Sequence, residues 1–211
     1  AWTHPWESDT FFYYRGGLEM LREAYKPFGI YIPGVAWLGI ESIHSKKPLT
    51  KAADLKGLKM RSPAGLTAEV LKRVGCSVVI LPGSEVYGAL EKGIIDATDW
   101  GTPNLNYKTG LHKVAKYFIY PGFHSNSVTT FEVNLDEWNK LPTDIKEIVE
   151  TAVRRADWDC IQTTNLEDLK AVQKLKEEGA ILVTWPEEEK TKVRKIAMEV
   201  WDDWGKKNPG A

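Results

Sequence analysis

Short strand-like runs alternate with amphipathic helical segments between Leu58 and Ala97 of the 211-residue chain. The helical segments carry apolar residues at helical spacing and end at Gly75 and Gly93. An order of strand, helix, strand, helix, strand requires crossover connections and therefore predicts a parallel sheet in an α/β protein. The strand-like runs are Leu58–Arg61, Ser77–Leu81 and Ile94–Ala97, of which the second is apolar enough to predict a buried strand.

Helical periodicity continues on both sides of this region. One helix is predicted over Thr10–Phe28, and a loop is predicted at the Gly-, Pro- and Asn-rich stretch Gly101–Asn106. Two further helices are predicted over Ile145–Ala156 and around Leu166–Lys176. Pro186, followed by three glutamates, predicts the start of a final helix. The carboxyl-terminal region is therefore expected to be mainly helical.

Charge and hydropathy exclude several classes of function. The formal net charge is -1, which argues against nucleic acid as a partner and against a polybasic membrane surface. No apolar run approaches the roughly 20 residues that a membrane-spanning helix needs. No basic segment followed by an apolar stretch opens the sequence, so a signal peptide is not predicted within it.

Cys76 and Cys160 are the only cysteines in the sequence. Neither belongs to a CxxC pair or to a zinc-binding spacing with histidine. We expect two small buried side chains, while a disulfide between them stays open because spacing does not determine its geometry.

Polar and aromatic residues occur where predicted strands end. Arg61 ends the first strand of the alternating region, and Asp99 and Trp100 follow the third. Phe123 and His124 follow the apolar run "YFIYPG". Because ligands of open α/β sheets bind beyond the carboxyl ends of the strands, these five residues are the candidates for a binding site.

Each candidate also has a structural interpretation. The planar guanidinium of Arg61 matches a carboxylate, but composition alone equally suits a solvated surface arginine. Asp99 is either a loop cap or a cation ligand, and Trp100 is either core or pocket wall. His124 makes either a structural hydrogen bond or one to a ligand. The residues by themselves leave these alternatives open.

Familiar catalytic motifs are missing from the sequence. It contains no G-x-S-x-G, no Walker loop and no G-x-G-x-x-G, and its histidines form no zinc-binding pair. These absences favour binding over catalysis. Two alternatives remain: an enzyme that uses Asp99 and His124 as acid and base, and a ligand-sensing domain of a regulator.

Four segments of the sequence resemble the DctP-type solute-binding proteins of tripartite ATP-independent periplasmic (TRAP) transporters. They are "SKKPLTKAADLKGLKMRSPAG", "VVILPGSEVYGALEKGIIDATDW", "KVAKYFIYPGFH" and "LPTDIKEIVETAVRRA". Their order along the chain is more specific than any single segment, and together they span most of residues 10–205. "DATDW" and "YPGFH" are similar to the branch that binds 2-oxo acids or hydroxy acids together with a metal cation.

The resemblance implies a non-enzymatic receptor in the periplasm. Such a receptor binds a small organic acid and delivers it to sodium-coupled TRAP membrane subunits. Arg61 matches the family arginine that holds the ligand carboxylate, and Trp100, Phe123 and His124 are the further ligand-binding candidates. A homodimer of the full-length protein is also expected.

The resemblance also implies a cation, sodium or calcium, that bridges to the ligand, with no other cofactor. Asp99 and Trp100 match the acid and tryptophan of the cation site, with aspartate replacing the commoner glutamate. Ser125 stands where that branch commonly has a further acid. Glu41 lies near the position of a family glutamine. The implied cation site therefore comprises Asp99, Trp100, Ser125 and Glu41.

The implied fold is periplasmic-binding-protein-like and bilobed. Residues 1–40 are expected to form part of lobe one, and residues 41–125 to form lobe two around parallel strands. Residues 126–211 are expected to supply a return strand and carboxyl-terminal helices that pack across both lobes. Compared with the family, the chain resembles a fragment that lacks both ends, with the second lobe and part of the first.

Overall fold

A computed structural model describes residues 4–208 of the chain. Its α-helices, in chain order, are α1 (Pro5–Tyr14), α2 (Gly17–Tyr25), α3 (Leu66–Val74), α4 (Val86–Glu91), α5 (Pro103–Lys108), α6 (Leu135–Lys140), α7 (Thr143–Glu177) and α8 (Glu187–Lys207). Its strands are β1 (Ile30–Ile40), β2 (Ser42–Ser45), β3 (Lys59–Ser62), β4 (Ser77–Ile80), β5 (Ala97–Gly101), β6 (Tyr117–Ile119), β7 (Asn126–Asn134) and β8 (Ile181–Val183).

The chain divides into two compact units. The first unit contains the residues up to Gly39 and the segment Ser125–Glu167. The second contains Ile40–His124 and the residues from Asp168 onward. The assignment of these segments to the two lobes of a binding protein stays a prediction.

A six-stranded sheet forms the centre of the second unit, in the order β4-β3-β5-β2-β6-β8. Strand β3 is parallel to both β4 and β5, as the alternating strand and helix pattern predicted. Strand β2 runs antiparallel to its neighbours β5 and β6, and β6 is parallel to β8. The parallel sheet inferred from the sequence is therefore correct for three strands and becomes mixed beyond them.

Strand β4 lies at one edge of this sheet and is only half-buried. Ile80 is exposed, which contradicts the prediction of a buried strand for this apolar run. The helix before it follows the prediction: α3 buries Ala68, Leu71 and Val74 and ends at Gly75, whose φ of 109° is a left-handed conformation that favours glycine.

Strand β5 begins three residues later than the predicted strand Ile94–Ala97. The amides of Ile94 and Ile95 still donate hydrogen bonds to the Ala89 carbonyl of α4, so these residues close the helix rather than start the strand. Asp99 and Trp100 consequently lie within β5 and not after it. Their placement beyond a strand end was wrong, because helix capping occupies the first apolar residues of the run.

Buried apolar side chains on the sheet form the core of the second unit. Trp185 is almost completely buried there, and its indole nitrogen donates a 2.7 Å hydrogen bond to the Leu49 carbonyl. A second cluster packs around α4. The main cluster consists of Ile43, Leu49, Leu55, Leu58, Met60, Leu71, Val74, Cys76, Ala97, Ile119, Trp185 and Val193, and the second of Val86, Ala89, Leu90, Ile95, Leu111 and Ala115.

Three helix predictions need correction. The predicted amino-terminal helix is two helices, α1 and α2, separated at Gly16, whose φ is 82°. The predicted loop at Gly101–Asn106 instead contains α5, which has Pro103 at its first position. The two predicted helices near residues 145 and 166 are one helix of 35 residues, α7. No glycine or proline lies inside α7, so nothing in its sequence breaks the backbone hydrogen-bond pattern.

The first unit contains a two-stranded sheet of β1 and β7. Buried polar contacts join β1 to the helices of the same unit. The backbone amide of Trp37 donates a 2.8 Å hydrogen bond to Asp157 of α7, and the Tyr13 hydroxyl of α1 lies 3.1 Å from both the amide and the carbonyl of Val35. These contacts satisfy strand groups that a buried sheet edge would otherwise leave without partners.

Both cysteines are free thiols. Cys76 is buried, as expected, and burial raises its pKa to about 11. Cys160 is partly exposed, so the expectation of burial was wrong for this residue. Within residues 4–208, no helix has the length and apolar character needed to cross a membrane.

A buried histidine makes the second unit sensitive to acid. His44 of β2 is fully buried, stacks on Phe118, and has its Nδ1 atom 3.1 Å from the Ala115 carbonyl. Burial lowers its pKa from 6.5 to about 4, although the hydrogen bond to Ala115 opposes this shift. The ring is therefore neutral near pH 7, with Nδ1–H as the donor to the carbonyl.

We expect His44 to cause a loss of stability as the pH falls from about 6.5 to about 4, because the unfolded chain binds a proton there and the folded chain does not. Between pH 7 and pH 5 the loss is about 2 kcal/mol. His44→Asn keeps an N–H donor and does not titrate. Urea unfolding followed by circular dichroism should show that the free energy of unfolding decreases less between pH 7 and pH 5 in the variant than in the wild type. An equal decrease in both proteins would show that His44 does not cause the loss of stability.

Candidate functional site

Arg61 lies on β3 with its guanidinium largely buried, at 6% residue exposure. Its Nε donates a 3.0 Å hydrogen bond to the Leu81 carbonyl, and its Nη1 donates a 2.6 Å hydrogen bond to the Asp99 carbonyl. In the described part of the chain no carboxylate lies within ion-pair distance of it, and Nη2 has no hydrogen-bond acceptor. The guanidinium is therefore held by backbone carbonyls, with Nη2 and the second hydrogen of Nη1 left for another acceptor.

Trp100 covers one face of this guanidinium. Its ring centroid lies 5.3 Å from the Arg61 Cζ atom, within the range of a cation–π interaction. The Trp100 ring also contacts Gly83, in the turn after β4, where a Cβ atom would overlap the six-membered ring. Gly83 thus leaves the space that Trp100 occupies. Trp100 is both core and site wall, since it also packs on the α4 cluster.

Two carboxylates and an imidazole meet beside Arg61. The His124 Nε2 atom lies 3.6 Å from Asp99 Oδ1 and 3.8 Å from Glu41 Oε2. Both distances exceed those of ordinary hydrogen bonds, so these are charge contacts. Asp99 is 2% exposed, and among the described residues its Oδ2 atom and both His124 nitrogens have no hydrogen-bond partner. Buried polar atoms without partners are uncommon in folded proteins, which makes this cluster the candidate functional site.

The turn "YPGFH" brings Glu41 to this cluster. Gly122 packs directly on the backbone of Glu41, and a Cβ atom at Gly122 would overlap the Glu41 carbonyl oxygen. Two residues later, His124 contacts the Glu41 carboxylate. A glycine at position 122 is therefore required for the approach of this turn to the start of β2.

The charges of the site determine its protonation. Burial raises the pKa of Asp99, but contacts with His124, Glu41 and Arg61 outweigh burial and lower it below the ordinary value. Burial lowers the pKa of His124, but Asp99 and Glu41 outweigh burial and raise it. Burial lowers the pKa of Arg61, which stays protonated at neutral pH. The site therefore places an ionised Asp99 carboxylate beside the positive charge of Arg61 and beside a His124 ring whose protonated form Asp99 and Glu41 favour.

Glu41, Asp99 and His124 also fit the requirements of a cation site. One potential ligand atom from each residue lies within 4.8 Å of the others. Sodium and calcium prefer oxygen ligands, which makes the carboxylates of Glu41 and Asp99 the better donors and leaves His124 to contact a ligand. The Trp100 side chain offers no acceptor oxygen, so Trp100 has only its backbone carbonyl to contribute.

The remaining predicted residues have different surroundings. Phe123 stacks on Trp185, with ring centroids 4.5 Å apart, and packs on the main core. Ser125 belongs to the first unit, where its hydroxyl lies 2.8 Å from that of Ser127. The second unit thus brings together Arg61, Trp100, Asp99, His124 and Glu41, and the roles of all seven predicted residues stay predictions.

The residues that position these side chains were not predicted from the sequence. Leu81 supplies a carbonyl to Arg61, and Gly83 and Gly122 supply space for Trp100 and Glu41. The signal for the two glycines was a Pro-Gly pair after an apolar run, which occurs in both "ILPG" and "IYPG". No comparable signal marks a backbone carbonyl.

A family model described as bacterial extracellular solute-binding protein, family 7, matches residues 14–208. A monocarboxylate 2-oxoacid-binding periplasmic protein from Nostoc sp. is 34% identical over 193 residues, which cover 90% of this chain and 53% of that protein. The chain therefore spans about half the length of this relative. These matches confirm the family resemblance and agree with the predicted periplasmic location.

Solved structures of TRAP solute-binding proteins have the same fold. One from Bordetella bronchiseptica, with calcium and picolinate in its active site, is 32% identical, has a TM-score of 0.86, and is matched over 96% of this chain and 60% of its own. One from Pseudoalteromonas atlantica, with sodium and pyruvate, is 32% identical, has a TM-score of 0.82, and is matched over 97% and 63%. The predicted α/β fold of periplasmic binding proteins is confirmed.

We expect Gly83→Ala to displace the Trp100 ring from Arg61 and to destabilise the protein by about 1–3 kcal/mol, because the added methyl group overlaps the ring. Gly88→Ala in α4 is the matched control, since its Cβ would meet nothing within 4 Å. Urea unfolding measures both variants. Equal free energies of unfolding for the two variants would show that the position of the Trp100 ring does not depend on Gly83.

Proposed function

The chain belongs to family 7 of the bacterial extracellular solute-binding proteins, and we propose that the whole protein is the periplasmic receptor of a TRAP transporter. Its ligand is a small organic acid with a carboxylate, such as a 2-oxo acid or a hydroxy acid. The Nostoc relative is named for 2-oxo acids, and the solved relatives contain pyruvate or picolinate. The protein releases this ligand to sodium-coupled membrane subunits.

The observation that carries this proposal is the buried guanidinium of Arg61, which has no carboxylate partner among residues 4–208. A buried cation is costly unless an anion or hydrogen-bond acceptors compensate for the lost water. The two backbone carbonyls compensate in part, and Nη2 with the second hydrogen of Nη1 forms a fork that a carboxylate can accept bidentately. A ligand carboxylate completes the hydrogen bonding of Arg61.

A cation at Glu41 and Asp99 would supply positive charge for the keto or hydroxy oxygen of the same ligand. The two side chains hold it through carboxylate oxygens, one of which, Asp99 Oδ2, is buried without a partner among residues 4–208. His124 contacts both carboxylates and offers an N–H donor to the ligand. Trp100 over the Arg61 guanidinium and Phe123 beside the His124 ring would supply aromatic surface for the ligand.

The receptor is not an enzyme in this proposal. Asp99, His124 and Glu41 contact one another, and in this proposal they hold the ligand and the cation rather than act as acid and base. Membership of a solute-binding family also favours binding over catalysis and over a role in a regulator. Dimerisation of the full-length protein remains part of the proposal, and turnover of a bound acid would contradict the non-enzymatic role.

We expect Arg61→Lys in the full-length protein to weaken binding of pyruvate by about 10- to 100-fold, because lysine keeps the charge but loses the fork and its charge-assisted hydrogen bonds. Isothermal titration calorimetry measures the change. Arg73→Lys, at an exposed ion pair with Asp203, is the matched control and should bind like the wild type. Unchanged affinity of Arg61→Lys would contradict the assigned role.

We expect pyruvate affinity to depend on calcium or sodium and Asp99→Asn to lose most of this dependence, because the amide removes one negative charge from the oxygen donors. Titrations in EDTA with choline as the salt cation, then with each metal added, test this. Asp203→Asn is the surface control. Tight binding without either cation would rule out the bridging role.

A further inference from the structure

The pairing of β2 with β5 contains a β-bulge at the candidate site. Ser45, His44 and Ile43 pair in regular order with Ala97, Thr98 and Asp99, but Ser42 pairs with Gly101. Trp100 is therefore skipped and has no partner on β2. A bulge of this kind changes the direction of side chains. Here it lies at Asp99, whose carbonyl accepts a hydrogen bond from Arg61, and at Trp100, whose ring covers the Arg61 guanidinium.

One buried side chain bonds to both strands at this bulge. Asn106 of α5 has no exposed surface, and its Nδ2 donates 2.9 Å hydrogen bonds to the carbonyls of Ser42 and Gly101. These two residues form the strand pair immediately beyond the skipped Trp100. A single amide group thus joins β2 and β5 where their regular pairing is interrupted.

Asparagine is the residue type that can do this at position 106. Its amide has two N–H donors on one nitrogen, and both are used. Aspartate has the same shape but only acceptors when ionised, so it would repel both carbonyls. Leucine has a similar size but no polar group, and it would leave two buried carbonyls without this donor.

Both acceptor residues are adjacent in sequence to residues of the site. Glu41 precedes Ser42, and Trp100 precedes Gly101. We propose that Asn106 is a positioning residue that holds the bulge and thereby sets the orientation of Trp100, Asp99 and Glu41 for ligand binding. The effect on binding rests on the proposed function, whereas the effect on the bulge does not.

A merely structural role for Asn106 would affect stability without affecting the site. Ser42→Ala supplies the matched control, because it removes a different buried hydrogen bond on the same strand, the 2.8 Å bond from the Ser42 hydroxyl to the Ile119 carbonyl. It leaves both bonds from Asn106 in place. The comparison is made among Asn106→Asp, Asn106→Leu and Ser42→Ala in the full-length protein.

The first measurement is fluorine NMR of protein labelled with 5-fluorotryptophan, in which Trp100→Phe identifies the Trp100 signal. We expect both Asn106 variants to shift this signal and Ser42→Ala to leave it in place. A Trp100 signal that does not move in either Asn106 variant would overturn the proposal, whether or not any ligand binds.

The second measurement is calorimetric titration with pyruvate in calcium and in sodium. The Asn106 variants should bind roughly 10- to 100-fold more weakly than the wild type, as is usual when a residue that orients a ligand-holding side chain is replaced. Ser42→Ala should bind within about threefold of the wild type. An equal loss of pyruvate affinity in all three variants would overturn the proposal and would show that Asn106 only stabilises the fold.

Two further results separate the possible failures. If the wild type binds no pyruvate with either cation, the proposed function fails, and the fluorine signal alone decides the role of Asn106. If neither Asn106 variant folds, hydrogen exchange of the wild-type Asn106 side-chain amide decides it. Slow exchange of both Nδ2 protons supports the bridge between the strands, and fast exchange overturns it.

Discussion

The hydrogen bonds of the buried Arg61 guanidinium to two backbone carbonyls connect most of the candidate site. The Leu81 carbonyl fixes the segment that follows β4, and the Asp99 carbonyl fixes β5. Each bond to a charged donor is worth about 1.5–3 kcal/mol, and its loss would leave the guanidinium buried without compensation. The position of Trp100 over the guanidinium depends on the same arrangement.

The site remains incomplete in a chemical sense even though its scaffold is well packed. The His124 Nε2 atom lies 3.6 Å from Asp99 Oδ1 and 3.8 Å from Glu41 Oε2, and the outer edge of the Arg61 guanidinium has no acceptor in the described part of the second unit. Positive and negative groups thus lie side by side with unused hydrogen-bonding capacity. In the proposed function an organic acid together with a cation would satisfy both, since its carboxylate suits the arginine and the cation suits the carboxylates.

Much of the second unit could be predicted from the sequence because its elements are short and regular. Helix α3 and its closing glycine follow from the apolar spacing, β4 follows from a β-branched run, and β3 follows from the alternation of strands and helices. The start of β5 was predicted too early because the backbone amides of Ile94 and Ile95 donate hydrogen bonds to the end of α4. Such backbone hydrogen bonds are not visible in the apolar pattern of the sequence. The continuity of α7 was missed because its apolar residues do not keep one helical spacing from end to end, so the sequence pattern was interpreted as two helices.

The family, the α/β class and the residue types that carry charge and aromatic surface at the candidate site could all be inferred from the sequence. The motifs around Arg61, Asp99 and His124 are short contiguous stretches, and such stretches can be recognised from the sequence. The tertiary structure alone shows that Glu41 and Asp99 both contact His124, that Gly83 makes room for the Trp100 ring, and that Asn106 spans two strands. Each of these depends on contacts between residues distant in the chain, and no periodicity or spacing encodes such distances.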